Sequence, residues 1–303
     1  MTTGHLDLAL EQDAFLGEGL QWRHGRWWWT DIENARLQAW APGVAVQRWV
    51  LSDRLGCFAH CTSGRVLLGL AKRLAACRLG KEGAVQGLQT LTPVDAADPR
   101  TRVNDGRTDR RGYFVFGTMN EAPEKRPIGS FYQYSLQHGL RRLALPAVAI
   151  ANSVCFSLDG RTMYFCDTLS QCIQQCDYDA ESAQVANIRP FARIDEAHAW
   201  PDGSVVDAEG CLWNAQWGAG QVIRYDPAGR LMQRLKTASA PHTSCPALGG
   251  DDGRQLMVTT ARQDLSREAL LEMPLSGSLF GSTLPATLAV PDALFDDEPG
   301  DKK

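Results

Sequence analysis

Short apolar runs separated by turns that contain glycine continue along the whole chain. The clearest example is the stretch 201–227, where the runs 204–207, 211–216 and 221–225 alternate with two turn-rich breaks. Each run is too short for a helix and is rich in valine, isoleucine, tryptophan and tyrosine. Glycine between the runs allows the positive φ that tight hairpin turns require. The pattern predicts an antiparallel meander of strands.

The same mark, a turn with glycine followed by an aromatic or aliphatic strand, recurs six times. The turn glycines are Gly25, Gly64, Gly112, Gly160, Gly210 and Gly253. Successive ones are 39, 48, 48, 50 and 43 residues apart. A period of about 40–50 residues with several strands per unit is typical of a β-propeller blade. The sequence therefore predicts an all-β, six-bladed β-propeller with four-stranded antiparallel blades, as one domain over residues 1–303. The alternative, a β-sandwich with an insertion, does not explain the regular step.

The N-terminal segment is expected to close the propeller. Residues 5–10 carry leucine at positions 6, 8 and 10, an alternation typical of a half-buried strand. Because open sheet edges invite aggregation, we expect this strand to pair with the last blade, near residues 283–290. A weak pattern predicts one short helix within 264–272. The charged tail, from about residue 295 to residue 303, is expected to be disordered.

Composition and charge exclude several classes of protein. A hydrophobic content of 44% with 22% charged residues is typical of soluble globular chains, and the net charge of −4 leaves no basic surface for nucleic acid. Neither a signal peptide nor an apolar run of membrane-spanning length is evident. The nine cysteines contain no CxxC pair. We expect them to be buried, reduced thiols rather than disulfides or zinc ligands. The sequence predicts a cytoplasmic protein, a monomer or weak homodimer, that binds neither nucleic acid nor membrane.

Polar residues stand just before the inner strand of several predicted blades. They are Glu18, Asn104, Asp105, Asn152 and Asp202. Radial geometry would bring the starts of different blades to a common axis, where Glu18, Asn152 and Asp202 would supply two carboxylates and an amide oxygen. Such a set of oxygen atoms suits one divalent cation. Ca²⁺, Mg²⁺ or Mn²⁺ would fit, and Zn²⁺ or Fe²⁺ is also possible.

Each of these residues also has a simpler explanation. A glutamate between glycines, as at Glu18, is usually a solvated turn residue. The segments 104–106 and 202–203 read as ordinary hairpin turns, and Asn152 could cap main-chain groups. The matching phase of these residues across blades favours the cation site, because independent turns would not require it.

Six segments resemble the regucalcin/gluconolactonase (sugar-lactone lactonase) family, in the family's order, over residues 13–262. They are LGEG at 16–19, RVNDG at 102–106, FGTM at 116–119, FSLDGRTMYFCDT at 156–168, PDGSVVDAEGCLW at 201–213 and GRQLMVTTAR at 253–262. The resemblance implies a six-bladed propeller with one divalent metal near its axis. The chain departs from the family at Leu20, where proline is common, and at Ser153, where glycine often follows the ligand asparagine.

The resemblance also implies roles for single residues. Glu18, Asn152 and Asp202 match the family's metal ligands, and Asp202 also matches its proposed general base. Three residues match those that hold substrate hydroxyls: Arg102, Asn104 and Glu121.

These features together predict a metal-dependent hydrolase that opens a sugar-acid lactone, an aldono-1,4- or 1,5-lactone, to the aldonic acid. The divalent metal would polarise the carbonyl group, and Asp202 would assist the attack of water. Arg102 has paired donors that suit sugar hydroxyls, and Asn104 can donate and accept. The alternatives are a non-catalytic calcium-binding or regulatory propeller, a protein-interaction propeller of the WD-repeat kind, and hydrolysis of other esters. His198 and His242 are placed for the channel mouth, with roles left open.

Overall fold

The chain folds into six antiparallel sheets that form the blades of a propeller. The structure is a computed structural model and describes residues 2–298. Each inner strand contacts the inner strand of the next blade, and the inner strand of blade six contacts that of blade one, so the ring is closed. Blades are numbered one to six in chain order. The prediction of a six-bladed propeller with four-stranded blades is confirmed.

Two short strands precede the blades and join the last two of them: β1 (Thr2–His5) and β2 (Asp7–Leu10). The inner strand comes first in the lists that follow. Blade one contains β3 (Gly17–Arg23), β4 (Arg26–Asp31), β5 (Arg36–Trp40) and β6 (Gln47–Val50). Blade two contains β7 (Leu55–His60), β8 (Val66–Leu70), β9 (Arg73–Leu79) and β10 (Val85–Pro93). Blade three contains β11 (Thr101–Thr108), β12 (Phe114–Asn120), β13 (Phe131–Ser135) and β14 (Gly139–Arg142).

The remaining blades follow the same plan. Blade four contains β15 (Ala151–Phe156), β16 (Thr162–Asp167), β17 (Cys172–Asp179) and β18 (Gln184–Arg193). Blade five contains β19 (Trp200–Val206), β20 (Leu212–Trp217), β21 (Gln221–Tyr225) and β22 (Leu231–Lys236), with β1 added at its edge. Blade six contains β23 (Thr243–Gly249), β24 (Gln255–Thr260) and β25 (Leu279–Thr283), with β2 as its outer strand.

The six repeat glycines lie in the hairpin that follows each inner strand. All six have φ between 69° and 88°, in the left-handed region that a side chain disfavours. The repeat seen in the sequence is therefore one backbone conformation used once per blade.

Little helix is present. The one α-helix in residues 2–298 is α1 (Arg267–Glu272), which agrees with the predicted short helix except for its later start. The Ser266 side chain caps it by accepting from the Ala269 N–H at 3.2 Å. Two 3₁₀ turns occur, at Lys81–Gly83 and Thr168–Ser170. Over the described residues no helix has the length and hydrophobicity to span a bilayer.

The N-terminal segment closes the ring, in a different register from the one expected. Strand β2 pairs antiparallel with β25, with Leu8 opposite Phe280, rather than with residues 283–290. Strand β1, which was not predicted, pairs in parallel with β22 of blade five. Between the two strands Leu6 is buried, whereas Leu8 is 43% exposed, so the leucine alternation does not mark one buried face.

Six hydrophobic clusters lie one between each pair of neighbouring blades. A seventh, small cluster of Leu16, Ile32 and Ala261 is also buried. Leu6 belongs to the cluster between blades five and six, and Trp29 belongs to the cluster between blades six and one. Both faces of each blade are therefore buried, which explains why the strands are apolar along much of their length. All nine cysteines are buried with free thiols, as expected.

The segment 284–297, here called the strap, crosses the propeller face on which the inner strands end. Its Leu288 bonds to the main chain of blades five and six, and its Asp292 pairs with Arg107 of blade three at 2.6 Å. Phe295 is 1% exposed and bonds to the main chain of His60 in blade two. The prediction of a disordered tail from residue 295 is therefore wrong up to Asp297, whose carboxylate accepts from Ser63. Residues 299–303 lie outside the described residues.

We expect Leu6→Ala to lower the free energy of unfolding by about 2–5 kcal/mol, because it empties a buried site between two blades. The matched control is Leu8→Ala on the same segment, which should change stability by at most about 0.5 kcal/mol because Leu8 is exposed. Urea denaturation followed by tryptophan fluorescence measures both. Equal midpoints for the two variants would contradict a closing role for the N-terminal segment.

Candidate functional site

Every inner strand contains a β-bulge near its start, on the propeller face opposite the strap. The register shifts lie between Glu18 and Gln21, Leu55 and Cys57, Val103 and Gly106, Asn152 and Cys155, Pro201 and Ser204, and Thr243 and Pro246. A bulge adds one residue to a strand and redirects the side chains around it, which is why bulges are frequent beside active sites.

The predicted site residues lie at these bulges. Glu18, Asn104, Asn152 and Asp202 are inside the inner strands of blades one, three, four and five, rather than in loops ahead of them as the sequence suggested. The error has a physical reason: a bulge interrupts the alternation of apolar residues, so a bulged strand start has the composition of a turn.

These side chains converge on one cavity of about 220 Å³ at the axis. Its polar lining includes five of the six predicted site residues: Glu18, Arg102, Asn104, Asn152 and Asp202. Each of the five is less than 9% exposed. Its apolar lining is Leu16, Ile32, Met119, Ile150, Leu169, Trp200 and Trp217. A larger open groove of about 690 Å³ lies on the outside of blades three and four and contains none of these residues.

The carboxyl groups of Glu18 and Asp202 lie in the same cavity wall and interact with each other. Burial, together with the nearby charge of Asp105, raises the pKa of Glu18 from its ordinary value of 4.5 to about 8. Burial and the charge of Glu18 raise the pKa of Asp202 well above its ordinary range. Two neighbouring buried carboxyl groups are stable when they share a proton or when a cation lies beside them.

The donor set fits a divalent cation. Both carboxyl groups are buried, and Arg102 is the only positively charged side chain among the described cavity residues that could balance their charge. The Asn152 side chain lines the same cavity. Within residues 2–298 no group of three acidic, histidine or cysteine side chains could hold a metal. A cation would therefore depend on Glu18 and Asp202 with the amide oxygen of Asn152, a hard-oxygen set that leaves room for water and substrate.

Arg102 is the one positively charged side chain among the described residues that line the cavity. Its Nη1 donates to Asn104 Oδ1 at 2.6 Å and to Val103 O at 3.0 Å. Its buried Nε finds no hydrogen-bond partner in the part of the chain that the structure describes, and it lies 3.6 Å from Glu121 Oε1. Burial lowers the pKa of Arg102, while the charges of Glu33 and Glu121 oppose that shift. A buried guanidinium with a spare N–H suits an oxygen-rich ligand.

Glu121 lies outside the cavity lining, in a ring of four alternating charges. It accepts from Arg54 Nη2 at 2.9 Å, and the ring continues from Arg54 to Glu33 at 3.5 Å and from Glu33 to Arg102 at 3.8 Å. Burial would raise the pKa of Glu121, but the bond and charge of Arg54 outweigh it and lower that pKa. Neither Glu33 nor Arg54 could be singled out from the sequence, because these ion pairs join separate blades.

Asn104 connects Arg102 with the cation donors. Its Nδ2 donates to Ala151 O at 2.9 Å and to Asn152 Oδ1 at 3.1 Å, while its Oδ1 accepts from Arg102. Both of its N–H donors are used within the protein. Asn104 can therefore accept from a ligand hydroxyl without rearrangement, but it cannot donate to one.

The two histidines expected at the mouth lie behind tryptophans of the cavity lining. His242 stacks on Trp217 with ring centroids 4.2 Å apart, and its Nδ1 bonds to Gln263 O at 2.9 Å. His198 makes an edge contact with Trp200 at 6.3 Å. Neither tryptophan is predicted to line the cavity, because the glycines that follow Trp217 give this position the composition of a turn.

Comparison with known proteins agrees with this geometry. Residues 16–262 match the model of the SMP-30/Gluconolactonase/LRE-like region. The chain is 44% identical to L-arabinolactonase of Azospirillum brasilense over 282 residues, 91% of each chain. It is 31% identical to regucalcin of Oryctolagus cuniculus over 291 residues, 93% of this chain and 95% of that one. The solved structure of a calcium-binding protein, regucalcin, from Agrobacterium tumefaciens superposes with a TM-score of 0.87 at 28% identity, covering 97% and 99% of the two chains.

The raised pKa of Glu18 predicts a pH-dependent stability in cation-free protein. Folded Glu18 keeps its proton to about pH 8, whereas an unfolded glutamate releases it near pH 4.5. Folding binds a proton in this window, so in EDTA the free energy of unfolding should fall as pH rises from 4.5 to 8. Urea denaturation at a series of pH values measures this.

The control is Glu18→Gln, which is neutral at every pH and should show a flatter profile. The difference between variant and wild type removes other titrations, such as that of His60, whose pKa burial lowers to about 4. A difference that is constant from pH 5 to pH 8.5 would contradict the raised pKa.

Proposed function

Because the chain belongs to the SMP-30/gluconolactonase/LRE-like family, we propose that it is a hydrolase that opens a sugar-acid lactone with the help of one divalent cation. The observation that carries this proposal is a single cavity that is lined by two buried carboxyl groups and a buried arginine. The 44% identity to L-arabinolactonase supports an aldonolactone, with a 1,4- or a 1,5-ring, as the substrate.

Glu18, Asn152 and Asp202 are the proposed ligands of the cation. When bound, a divalent cation would act as a Lewis acid on the lactone carbonyl group. The positive charge would also lower the pKa values of Glu18 and Asp202, which burial raises, so that both side chains become carboxylates.

Asp202 is the proposed general base. As a carboxylate at the cavity wall it would accept a proton from the water molecule that attacks the carbonyl carbon. The C–O bond of the lactone ring then breaks, and the ring oxygen takes up a proton as the aldonic acid forms. A positioned base of this kind contributes about 10²–10⁴-fold to the rate.

Arg102 and Asn104 are the proposed contacts to substrate oxygens. The spare Nε–H of Arg102 would donate to a hydroxyl or ring oxygen, and Asn104 Oδ1 would accept from a hydroxyl. Glu121, proposed from the family resemblance to contact substrate, would act through Arg102 in this conformation, since its carboxylate is bound to Arg54. Trp217 would pack against the apolar face of the sugar ring.

The second candidate function is a calcium-binding protein without catalysis, as the described function of the regucalcin from Agrobacterium tumefaciens would suggest. The buried guanidinium of Arg102 favours the lactonase, because storage of a cation gains nothing from a second cationic group at the same cavity. Release of acid from lactones distinguishes the two.

We expect Asp202→Asn to lower kcat/KM for the best substrate of a pentono- and hexonolactone panel by at least about 10²-fold, since it removes the base and replaces a charged ligand with a neutral one. A pH-indicator assay, corrected for spontaneous hydrolysis, measures the acid released. The control, Asp252→Asn, changes an exposed aspartate on the strap face and should leave the rate unchanged. A wild-type rate for Asp202→Asn would contradict the assignment.

Removal of the cation should abolish hydrolysis and leave the propeller folded, because the blades are held together by the six hydrophobic clusters between them. Dialysis against EDTA, followed by addition of Ca²⁺, Mg²⁺, Mn²⁺ or Zn²⁺ one at a time, should restore acid release with at least one of them. Circular dichroism checks the fold at each step. Full activity in EDTA would rule out the metal-dependent mechanism.

A further inference from the structure

Side chains at the bulge of one blade hydrogen-bond to the main chain of the next blade around the ring. One such bond, from Gln21 Nε2 to Phe58 O at 2.9 Å, enters a blade without a proposed ligand. Three others reach carbonyl oxygens beside the proposed ligands. In each case an N–H or O–H of the side chain donates to a carbonyl oxygen at the next bulge. The three bonds are Ser244 Oγ to Gly17 O at 2.5 Å, Asn104 Nδ2 to Ala151 O at 2.9 Å, and Ser153 Oγ to Asp202 O at 2.6 Å. They join blade six to one, three to four, and four to five, all in the same direction around the ring.

The accepting carbonyl belongs in each case to a proposed ligand or to the residue before it, and the ligands are Glu18, Asn152 and Asp202. The bulges of the other three blades contain glycine, at Gly19, Gly56 and Gly203, and among these three only blade one adds a bulge side chain, Gln21, that bonds to the next blade within the described residues. The blade that follows each of those has none of the three ligands. At Gly56 and Gly203 an added Cβ would come within 2.5 Å and 2.9 Å of the next blade's main chain, so those gaps have no space for a side chain.

A bulge creates the need for such a bond. It disrupts the strand ladder locally and leaves main-chain carbonyls to find other partners. Ser153 is fully buried, and its φ of 62° is unfavourable for any residue with a side chain. A serine kept in a conformation that glycine adopts freely indicates that its hydroxyl group is required there.

Ser153 is also the centre of a buried polar cluster behind Asp202. Its Oγ accepts from Ser204 Oγ at 3.1 Å and from Asn214 Nδ2 at 3.3 Å. Asn214 Nδ2 donates to Asp202 O as well, at 3.1 Å. The backbone that carries Asp202 is therefore fixed from blade four and from its own blade.

We propose that Ser153 and Ser244 are positioning residues, which hold the carboxyl groups of Asp202 and Glu18 at the separation that one cation requires. Neither serine lines the cavity, so each acts through a main-chain carbonyl of the neighbouring blade. The inference rests on the proposed function, because the two serines can position ligands only if Glu18 and Asp202 bind the same cation.

The test compares Ser153→Ala and Ser153→Gly with wild type. Isothermal titration with Mn²⁺ gives the affinity for the cation, and urea denaturation in EDTA gives the stability. Both variants should bind Mn²⁺ about tenfold more weakly, the range for partners that orient metal ligands. Ser153→Gly should nevertheless be more stable than Ser153→Ala, because glycine adopts a φ of 62° without strain. A purely structural role would make affinity follow stability, with Ser153→Gly closer to wild type.

The matched control is Ser204→Ala, which removes a buried hydroxyl from the same cluster but leaves the bond from Ser153 to Asp202 O. It should keep the wild-type affinity for Mn²⁺. Ser244→Ala is the second, independent arm and should weaken Mn²⁺ binding through Glu18.

Three outcomes separate the inference from the function on which it rests. Weaker Mn²⁺ binding by both Ser153 variants and by Ser244→Ala, with Ser204→Ala unchanged, supports the inference. Wild-type affinity in these serine variants, in a protein that binds Mn²⁺ and hydrolyses lactones, overturns the inference and leaves the proposed function intact. A wild type that neither binds Mn²⁺ nor hydrolyses any lactone overturns both.

Discussion

Closure of a ring of six inner strands brings six bulges around one axis, and the carboxyl groups of Glu18 and Asp202 are pressed together there as a result. Burying two acids side by side is unfavourable, and it persists only because the surrounding structure is held by other forces. Those forces are the hydrophobic clusters between blades, together with strand β2 at the closing blade. The two acids at the site repel each other when both are charged, and packing between the blades keeps them in place.

The charges around the cavity are arranged unevenly. Arg102 belongs to a ring with Arg54, Glu33 and Glu121, in which two positive and two negative groups balance one another. The excess of negative charge is therefore concentrated at the carboxyl pair, with Asp105 nearby. This division gives the cavity one end that attracts a cation and another that offers a hydrogen-bond donor to a polar ligand. A lactone, which has an electrophilic carbonyl and several hydroxyls, needs both.

The number of blades could be predicted from the sequence because the turn after each inner strand uses the same positive-φ conformation. That conformation favours glycine, and the glycine can be recognised in the sequence. The convergence of Glu18, Asn152 and Asp202 could be predicted for a related reason, since these residues share a phase in the repeat. The bulges themselves were hidden, as their composition is that of a turn. The pairing of Glu121 with Arg54 and the burial of Phe295 were also unpredictable, because they depend on contacts between distant segments.

The strap gives the propeller two unlike ends. It runs from blades five and six to blades two and three, and its Asp292 pairs with Arg107 of blade three beside a void of only about 50 Å³. The strap therefore covers one end of the central channel, and the cavity lies toward the other end. A molecule bound beside Trp200 and Trp217 would exchange at the uncovered end, so one molecule would leave before the next one binds.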